Sequence, residues 1–320
     1  MEVVRDIGSF DAPSEGLAVT IGAYDGLHVG HRRLISELRA RARSSGLPTA
    51  VVTFDRHPAS IVRPESAPML LTDVAHKMEL LSETGVDYAV LVTFDAQRAE
   101  ERAEDFVTDF LVSALRTRLV VVGANFHFGR DREGSVELLQ KMSGALGLEV
   151  VGVGLTSTDD GEIVSSSRIR RLLAGGRVAE AARLLGRPHE VRGIVEHGDS
   201  TGGPVLGCPT ANVAAPAGIM LPGNGIYAGW YKRGSGSVHR CAISLGVRPT
   251  FTSRPAELVL EAHLIDFEGD LYGEKAQVAF VERTRDEERF SSPEELSRRI
   301  QADVAAVRSM LVDASPPWAC

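Results

Sequence analysis

Two histidines three residues apart, His28 and His31, lie in a glycine-rich turn at the start of a helical pattern. The apolar run Leu17–Ile21 before the turn predicts a buried strand, and apolar residues recur at helical spacing from about His31 onward. A helix N-terminus presents unpaired N–H groups and the positive end of the helix dipole, and both favour a phosphate. The pattern therefore predicts a site for a nucleoside triphosphate, with a metal-binding or capping histidine pair as the alternative. The predicted phosphate-binding residues beside the two histidines are Gly22, Asp25, Gly26 and Gly30.

Two later stretches carry polar groups that could contact the same ligand. Asn125 lies in a loop with two glycines and two aromatic residues, directly after an apolar strand, and could bond a base or ribose. The alternative is a loop whose aromatic side chains only fill the core. Ser165 or Ser166 is a good N-cap for a helix that contains Arg168, a planar charged donor able to reach phosphate. The alternative there is a capped surface helix with basic residues.

The second half of the chain contains a glycine-rich loop that leads into a strand. Backbone N–H groups in such a loop can surround phosphates, and the candidate glycines are Gly202, Gly203 and Gly207. Thr210 and Asn212 follow two residues apart, so their oxygens lie on one face of the strand. Oxygen ligands together with ATP phosphates suit Mg²⁺. The alternative is a glycine-rich hairpin loop without a ligand.

Glu261 lies inside an otherwise apolar strand pattern. By strand parity it faces away from Leu260 and Ala262, among apolar neighbours. A carboxylate in such surroundings needs a partner or a chemical role, and it could accept the proton of a primary hydroxyl during phosphoryl transfer. An exposed, salt-bridged glutamate is the alternative.

The first half of the chain alternates strands with helices. Predicted strands lie at 17–21, 48–55, 86–94, 119–123 and 149–153, with helices at 72–83, 103–115 and 164–173. This order predicts an α/β domain with a parallel sheet covered on both faces. Ligands bind beyond the carboxyl ends of such strands, so the polar loops there should converge. These loops are residues 22–31, 55–58, 94–97 and 123–134.

The second half changes character after a short helix at 178–185. Short strands separated by turn residues are predicted at 190–196, 210–213, 226–231, 239–244, 258–267 and 276–282. This pattern is typical of a small antiparallel β-barrel. A capped C-terminal helix that begins after Ser291 would pack against it. We therefore expect two domains, at residues 1–186 and 187–320.

Composition narrows the class of protein. The chain has 320 residues and a net charge of −8 without a basic run, which argues against nucleic acid as the main partner. No window approaches the roughly 18 apolar residues of a membrane span, and the first residues lack the order of a signal peptide. The three cysteines are too scattered for a disulfide framework or a zinc site. We expect a cytoplasmic enzyme acting on small molecules, and a weak homo-oligomer stays open.

Three of these stretches, in their order along the chain, resemble a known family. Residues 20–31, 123–129 and 165–170 are similar to motifs in the nucleotidyltransferase domain of the bacterial bifunctional riboflavin kinase/FAD synthetase family. The resemblance implies a Rossmann-like domain that makes FAD from FMN and ATP. It implies that His28 and His31 hold the triphosphate, with the hydroxyls of the third motif and Arg168 on its far side. It also assigns Asn125 to flavin binding.

The second half resembles the riboflavin kinase domain of the same family. The sequence Pro-Thr-Ala-Asn at 209–212 is a family motif, and further similar segments follow in family order to about residue 312. The resemblance implies that Thr210 and Asn212 bind Mg²⁺–ATP and that Glu261 deprotonates the 5′-hydroxyl of riboflavin. It also implies that Arg285 and Phe290 lie in the segment that helps to close over the flavin. The implied cofactors and substrates are Mg²⁺, ATP, riboflavin, FMN and FAD.

Three functions are compatible with these patterns. The first is a bifunctional enzyme that converts riboflavin to FMN and FMN to FAD. The second is an enzyme with one step only, or with a flavin analogue as substrate, because the loop before Pro209 lacks a basic residue often found in the family. The third is a flavin- or nucleotide-binding regulatory protein without turnover. The joint presence of six residues favours an enzyme: His28, His31, Arg168, Thr210, Asn212 and Glu261.

Overall fold

The chain forms two compact units, Met1–Ser166 and Ser167–Cys320, in a computed structural model. The structure describes residues 1–158, 161–197, 210–247, 258–288 and 290–318. In this described part, none of the helices combines the length and the apolar character needed to cross a membrane.

The first unit is built on a six-stranded parallel sheet, as the alternating pattern predicts. Its strands follow the order β1-β4-β3-β2-β5-β8, and every described pairing is parallel. Two very short strands, β6 and β7, form a separate hairpin. The strands are β1 (Glu2–Val4), β2 (Leu17–Ile21), β3 (Thr49–Phe54), β4 (Tyr88–Val92), β5 (Thr117–Gly123), β6 (His127–Phe128), β7 (Gly134–Ser135) and β8 (Glu149–Val153).

Helices cover both faces of this sheet. On one face, Ile35 and Leu38 of α1 and Leu81 of α3 lie in hydrophobic clusters. These clusters also contain buried residues of β2, β3 and β4 that point to this face. Phe106 of a π-helix and Leu139 of α6 pack on the other face. The helices are α1 (Val29–Ser45), α2 (Ala59–Val62), α3 (Val74–Ser82), α4 (Ala96–Ala99), α5 (Ala103–Asp105), the π-helix (Phe106–Ala114) and α6 (Val136–Leu146), with 3₁₀ turns at Pro64–Ser66 and Arg130–Arg132.

The structure differs from the sequence-based expectation in three places. Helix α1 begins at Val29, two residues earlier than expected, because the side chain of His28 caps it. The predicted helix at 103–115 is mostly a π-helix. Strand β1 and helix α6 were not predicted, since three residues carry little periodicity and the segment of α6 follows a loop of mixed character.

The second unit is a closed antiparallel barrel in the order β10-β13-β12-β11-β14-β9. Alternate residues such as Ile243, Leu260, Ala262 and Phe280 are fully buried, and in the strand that contains Leu260 and Ala262 the buried side is the predicted one. The strands are β9 (His189–Glu196), β10 (Thr210–Ala214), β11 (Gly225–Arg233), β12 (Val238–Val247), β13 (Leu258–Leu264) and β14 (Lys275–Arg285).

Three helices belong to the second unit. Helix α8 packs against β9 and β14, and α9 packs against β11, β12 and β14. Val307 and Leu311 bury their side chains against Ala228 and Trp230 on the outer side of the barrel, as predicted for this helix. The helices are α7 (Ser166–Ala174), α8 (Val178–Leu185) and α9 (Pro293–Met310). Along the chain, the division between the two compact units falls after Ser166, and the functional boundary at residue 186 stays a prediction.

Candidate active sites

The turn between β2 and α1 lies at the carboxyl end of the sheet, where the sequence places the phosphate site. His28 is the N-cap of α1, and its Nδ1 accepts the backbone N–H of His31 at 3.3 Å. Because this nitrogen accepts, the neutral imidazole of His28 carries its proton on Nε2. The rings of His28 and His31 stack with their centroids 3.6 Å apart. Capping, the alternative role that the sequence allows for this pair, is therefore a role that His28 has in the structure.

Electrostatics keep His31 neutral. Burial lowers the pKa of His31 well below its ordinary value, and the nearby His28 and Lys77 lower it further. Its Nδ1 is buried without a hydrogen-bond partner among the described residues, which is rare in folded proteins and common at ligand sites. Gly30 leaves room for the pair, since a Cβ there would lie only 3.2 Å from the His28 ring.

Segment 71–77 fixes the shape of this turn through hydrogen bonds. The carboxylate of Asp25 accepts the backbone N–H groups of Leu71 and Thr72 at 2.9 and 3.2 Å. The hydroxyl of Thr72 accepts the N–H of Gly26, whose φ of +80° suits glycine. The backbone carbonyl of Asp25 also accepts the hydroxyl of Ser166 at 2.9 Å. Asp25 and Gly26, predicted to bind phosphate, thus also hold the turn together.

Lys77 is a residue of this site that the sequence interpretation missed. It is buried, and its Nζ donates to the carbonyls of Ala23 and Phe54 and to the hydroxyl of Thr53. A signal was present, because Lys77 follows Val74 by three residues and precedes Leu81 by four, on the apolar side of the predicted helix. A lysine in that position needs a buried partner.

Three further residues that the resemblance assigns to the triphosphate or to the flavin are Asn125, Ser165 and Arg168. Asn125 is exposed in the loop after β5, while Phe128 is buried and stacks on Phe126 at 5.4 Å. The aromatic residues of this loop therefore fill the core, as the alternative interpretation holds, and Asn125 lies at the surface. Ser165 is half-buried at the end of the first unit, and Arg168 lies in α7 of the second unit, also half-buried.

The barrel brings the predicted kinase residues together on its outer face. Asn212 of β10 pairs with Glu261 of β13, and Glu261 pairs with Ser244 of β12. Thr210 pairs with His263 in the same sheet. Directly opposed side chains in a sheet lie about 5 Å apart, so these oxygens form one polar cluster. Glu261 is half-buried and faces away from the barrel core, as its parity predicts.

The donor set of this cluster suits Mg²⁺ held jointly with a nucleotide. Thr210 and Asn212 offer uncharged oxygens, and Mg²⁺ is usually bound by one or two protein groups together with substrate phosphates. Among the described residues there is no cluster of histidine, cysteine or acidic side chains that would hold a metal alone. Gly202, Gly203 and Gly207 lie outside the described residues.

Arg285 is fastened to helix α9. Its Nε and Nη2 donate to the two carboxylate oxygens of Asp303 at 2.9 and 2.7 Å, and its Nη1 donates to the carbonyl of Asp286. Its guanidinium carbon lies 6.0 Å from the centroid of the Phe290 ring. The two flavin-binding residues predicted in the second half of the chain are therefore neighbours at the junction of β14 and α9.

Comparison with known families agrees with this arrangement. The family described as FAD synthetase matches residues 10–168, and the family described as riboflavin kinase matches residues 185–311. The first match contains the turn with the stacked histidines, and the second contains the barrel with Asn212 and Glu261.

Individual relatives match nearly the whole chain. The bifunctional riboflavin kinase/FMN adenylyltransferases of Escherichia coli K12 and Pseudomonas fluorescens are each 37% identical over 310 residues, covering at least 96% of this chain and 97% of the relative. A crystal structure described as a macrolide-efflux protein from Streptococcus pneumoniae superposes with a TM-score of 0.85 at 30% identity, over 96% of this chain and 98% of the other. The chain belongs to the family of bifunctional riboflavin kinase/FMN adenylyltransferases.

Proposed function

We propose that this protein phosphorylates riboflavin to FMN at the barrel and adenylylates FMN to FAD at the turn that precedes α1. The observation that carries the proposal is the pairing of Asn212 with Glu261 on one face of the barrel, in a chain that also presents His28 and His31 at a helix N-terminus. Two different ATP-dependent transfers need two such sites. We assign residues 1–186 to the second transfer and 187–320 to the first.

In the kinase reaction, Glu261 accepts the proton of the riboflavin 5′-hydroxyl. The hydroxyl oxygen forms a bond to the γ-phosphorus of ATP, the bond from this phosphorus to the β-phosphate oxygen breaks, and ADP leaves. Thr210 and Asn212 would hold Mg²⁺, which when bound offsets negative charge on the ATP phosphates. Arg285 and Phe290 would border the flavin, with Arg285 kept in place by Asp303.

In the adenylyl transfer, a phosphate oxygen of FMN attacks the α-phosphorus of ATP and pyrophosphate leaves. No covalent intermediate with the protein is needed, so the site must align the reactants and stabilise developing charge. The N-terminus of α1 and the neutral imidazoles of His28 and His31 would donate hydrogen bonds to the triphosphate. Ser165, Ser166 and Arg168 would bind it from the other side, and Asn125 would contact the flavin nucleotide.

The proposed substrates are small molecules, and we propose neither nucleic acid nor a membrane as a partner. The net charge of −8 supports the first exclusion. We propose the cytoplasm as the location, which agrees with the free thiol of Cys241, since disulfides are rare in that compartment. A weak homo-oligomer is compatible with this function.

A product analysis tests the function. Purified full-length protein is incubated with riboflavin, ATP and Mg²⁺, and flavins are separated by chromatography over time. We expect FMN to appear first and FAD to follow, and FAD with pyrophosphate to form when FMN is supplied directly. FMN without FAD would leave a kinase alone, and neither product would indicate a binding protein; each result would contradict the proposal.

A further inference from the structure

A buried ammonium group lies beneath the proposed triphosphate site. Lys77 is 7% exposed and stands in the first turn of α3, and its Nζ lies 3.2 Å from the carbonyl of Ala23, 3.2 Å from the hydroxyl of Thr53 and 2.7 Å from the carbonyl of Phe54. Ala23 belongs to the turn before α1, while Thr53 and Phe54 end β3. Lys77 therefore joins the carboxyl ends of two neighbouring strands.

The charge of Lys77 is not cancelled within its hydrogen-bond shell. An ammonium has three N–H groups, and here all three donate to uncharged oxygens. The nearby carboxylates are directed elsewhere, because Asp25 accepts from Leu71 and Thr72 and Asp55 accepts from Phe94. Asp25 and Asp55 offset part of this charge through space, and an anion bound at the turn would interact with the remainder.

The packing of the Lys77 side chain does not by itself account for a buried charge at this position. A buried charge is costly, and well-packed apolar residues often replace buried ionic groups without loss of stability. Lys77 lies close enough to His31 to help lower its pKa. Its field therefore reaches the imidazole that faces the proposed triphosphate site, and it adds to the field of the α1 N-terminus.

We propose that Lys77 is a positioning residue for adenylyl transfer. Through the carbonyl of Ala23 it holds the turn in its phosphate-binding shape, and its charge favours a triphosphate there without touching it. Thr53 supports the same contact, because its hydroxyl accepts from Lys77 and donates to the carbonyl of Ala23 at 3.1 Å. This inference rests on the proposed assignment of the turn to the triphosphate.

Steady-state kinetics of Lys77→Met test the inference in the full-length enzyme. We expect kcat/KM for FMN adenylylation to fall by about 100-fold, with a rise in the KM for ATP, because a small displacement of the turn and the loss of its charge both weaken triphosphate alignment. FMN formation at the barrel should stay within twofold. Lys141→Met, which removes an exposed lysine of α6, should leave both reactions unchanged.

The pH profile gives a second readout. Burial lowers the pKa of Lys77 to about 8, against an opposing effect of Asp25 and Asp55. Below pH 8 the ammonium is charged, and above it the group loses its proton and its charge. The rate of wild-type adenylyl transfer should therefore decline above about pH 8, relative to the rate of the kinase reaction of the same chain. In Lys77→Met this decline should be absent. His31, Asp25 and Asp55 also interact with this group. Burial lowers the pKa of His31, and the pKa of Asp55 is lowered, although burial opposes this, by hydrogen bonds from Phe94 and Arg56.

The possible outcomes distinguish the role of Lys77 from the assignment of the turn before α1 to the triphosphate. Wild-type adenylyl transfer in folded Lys77→Met would overturn the role of Lys77, and so would an equal loss of both reactions. Wild-type adenylyl transfer in His31→Ala would overturn the triphosphate site itself. If Lys77→Met does not fold, Thr53→Val replaces it: a selective loss of adenylyl transfer supports the inference, and unchanged kinetics contradict it.

Discussion

At the scale of single residues, the hydrogen bond from the backbone N–H of His31 to His28 Nδ1 distinguishes the roles of the two stacked imidazoles. His28 uses Nδ1 to cap α1, while His31 is buried and kept neutral beside it. The Tyr24 hydroxyl shares a 2.6 Å hydrogen bond with that of Thr20, and the centroid of its ring lies 5.0 Å from that of His31. This buried tyrosine therefore has a partner for its hydroxyl while its ring packs beside the imidazole.

Paired substitutions should separate the two reactions. Glu261→Gln keeps the shape of the side chain but removes its basicity, so FMN formation should fall by about 1,000-fold while FMN-to-FAD conversion is retained. His31→Ala should lower FAD formation by about 100-fold or more while FMN accumulates. Chromatographic time courses of both steps measure these effects. A folded variant in which either substitution stopped both reactions would contradict the assignment of separate sites.

At the scale of elements, helix ends and strand ends place the functional groups. The N-terminus of α1 and the carboxyl ends of β2 and β3 form the first site, and segment 71–77 ties them together. In the barrel, the junction of β14 and α9 is held by Arg285 and Asp303, whose side chains are only 13% and 11% exposed. This ion pair explains why α9 is anchored beside the segment that contains Phe290.

Removal of the carboxylate at this junction should destabilise the barrel. Asp303→Asn removes the two-point counter-charge of the largely buried Arg285 guanidinium and leaves the more exposed Glu288, 3.9 Å away, as an ion-pair partner, so the free energy of unfolding should fall by about 2 kcal/mol, less than for a fully unpaired buried charge. Both tryptophans, Trp230 and Trp318, lie in the second unit, so urea unfolding followed by tryptophan fluorescence reports on it. Asp313→Asn, at an exposed position, is the control. Equal stability of the two variants would refute the anchoring role.

At the scale of the whole molecule, each unit has a core of its own. Helices cover both faces of the sheet in the first unit, and the second unit fills the interior of its barrel. Units with separate cores can tolerate a substitution in one without loss of the other. For this reason each reaction serves as the internal control for variants in the other site.

Acid should destabilise the second unit through His189. Burial lowers the pKa of His189 to about 4, and its Nε2–H donates to the carbonyl of Met220. The unfolded chain binds a proton near pH 6.5 and the folded unit does not, so stability should fall as pH decreases from about 6.5 to 4, by about 3 kcal/mol in all. Urea midpoints at several pH values measure this. The decrease should be smaller in His189→Gln, and an identical decrease there would rule out this histidine as the cause.

The sequence by itself determined most of the strands and helices and the buried face of β13, whereas β1 and α6 were found only in the structure. Periodicity is local, so β2, α8 and the orientation of Glu261 could be predicted from neighbours within a few positions. The sequence also identified the turn with His28 and His31, because its glycines and histidines are adjacent in the chain. Tertiary structure alone decided that Lys77 supports Ala23, 54 positions earlier, and that Arg285 is paired with Asp303. Such contacts depend on how packed elements meet in space, because residues far apart in the chain become neighbours only once the cores have formed.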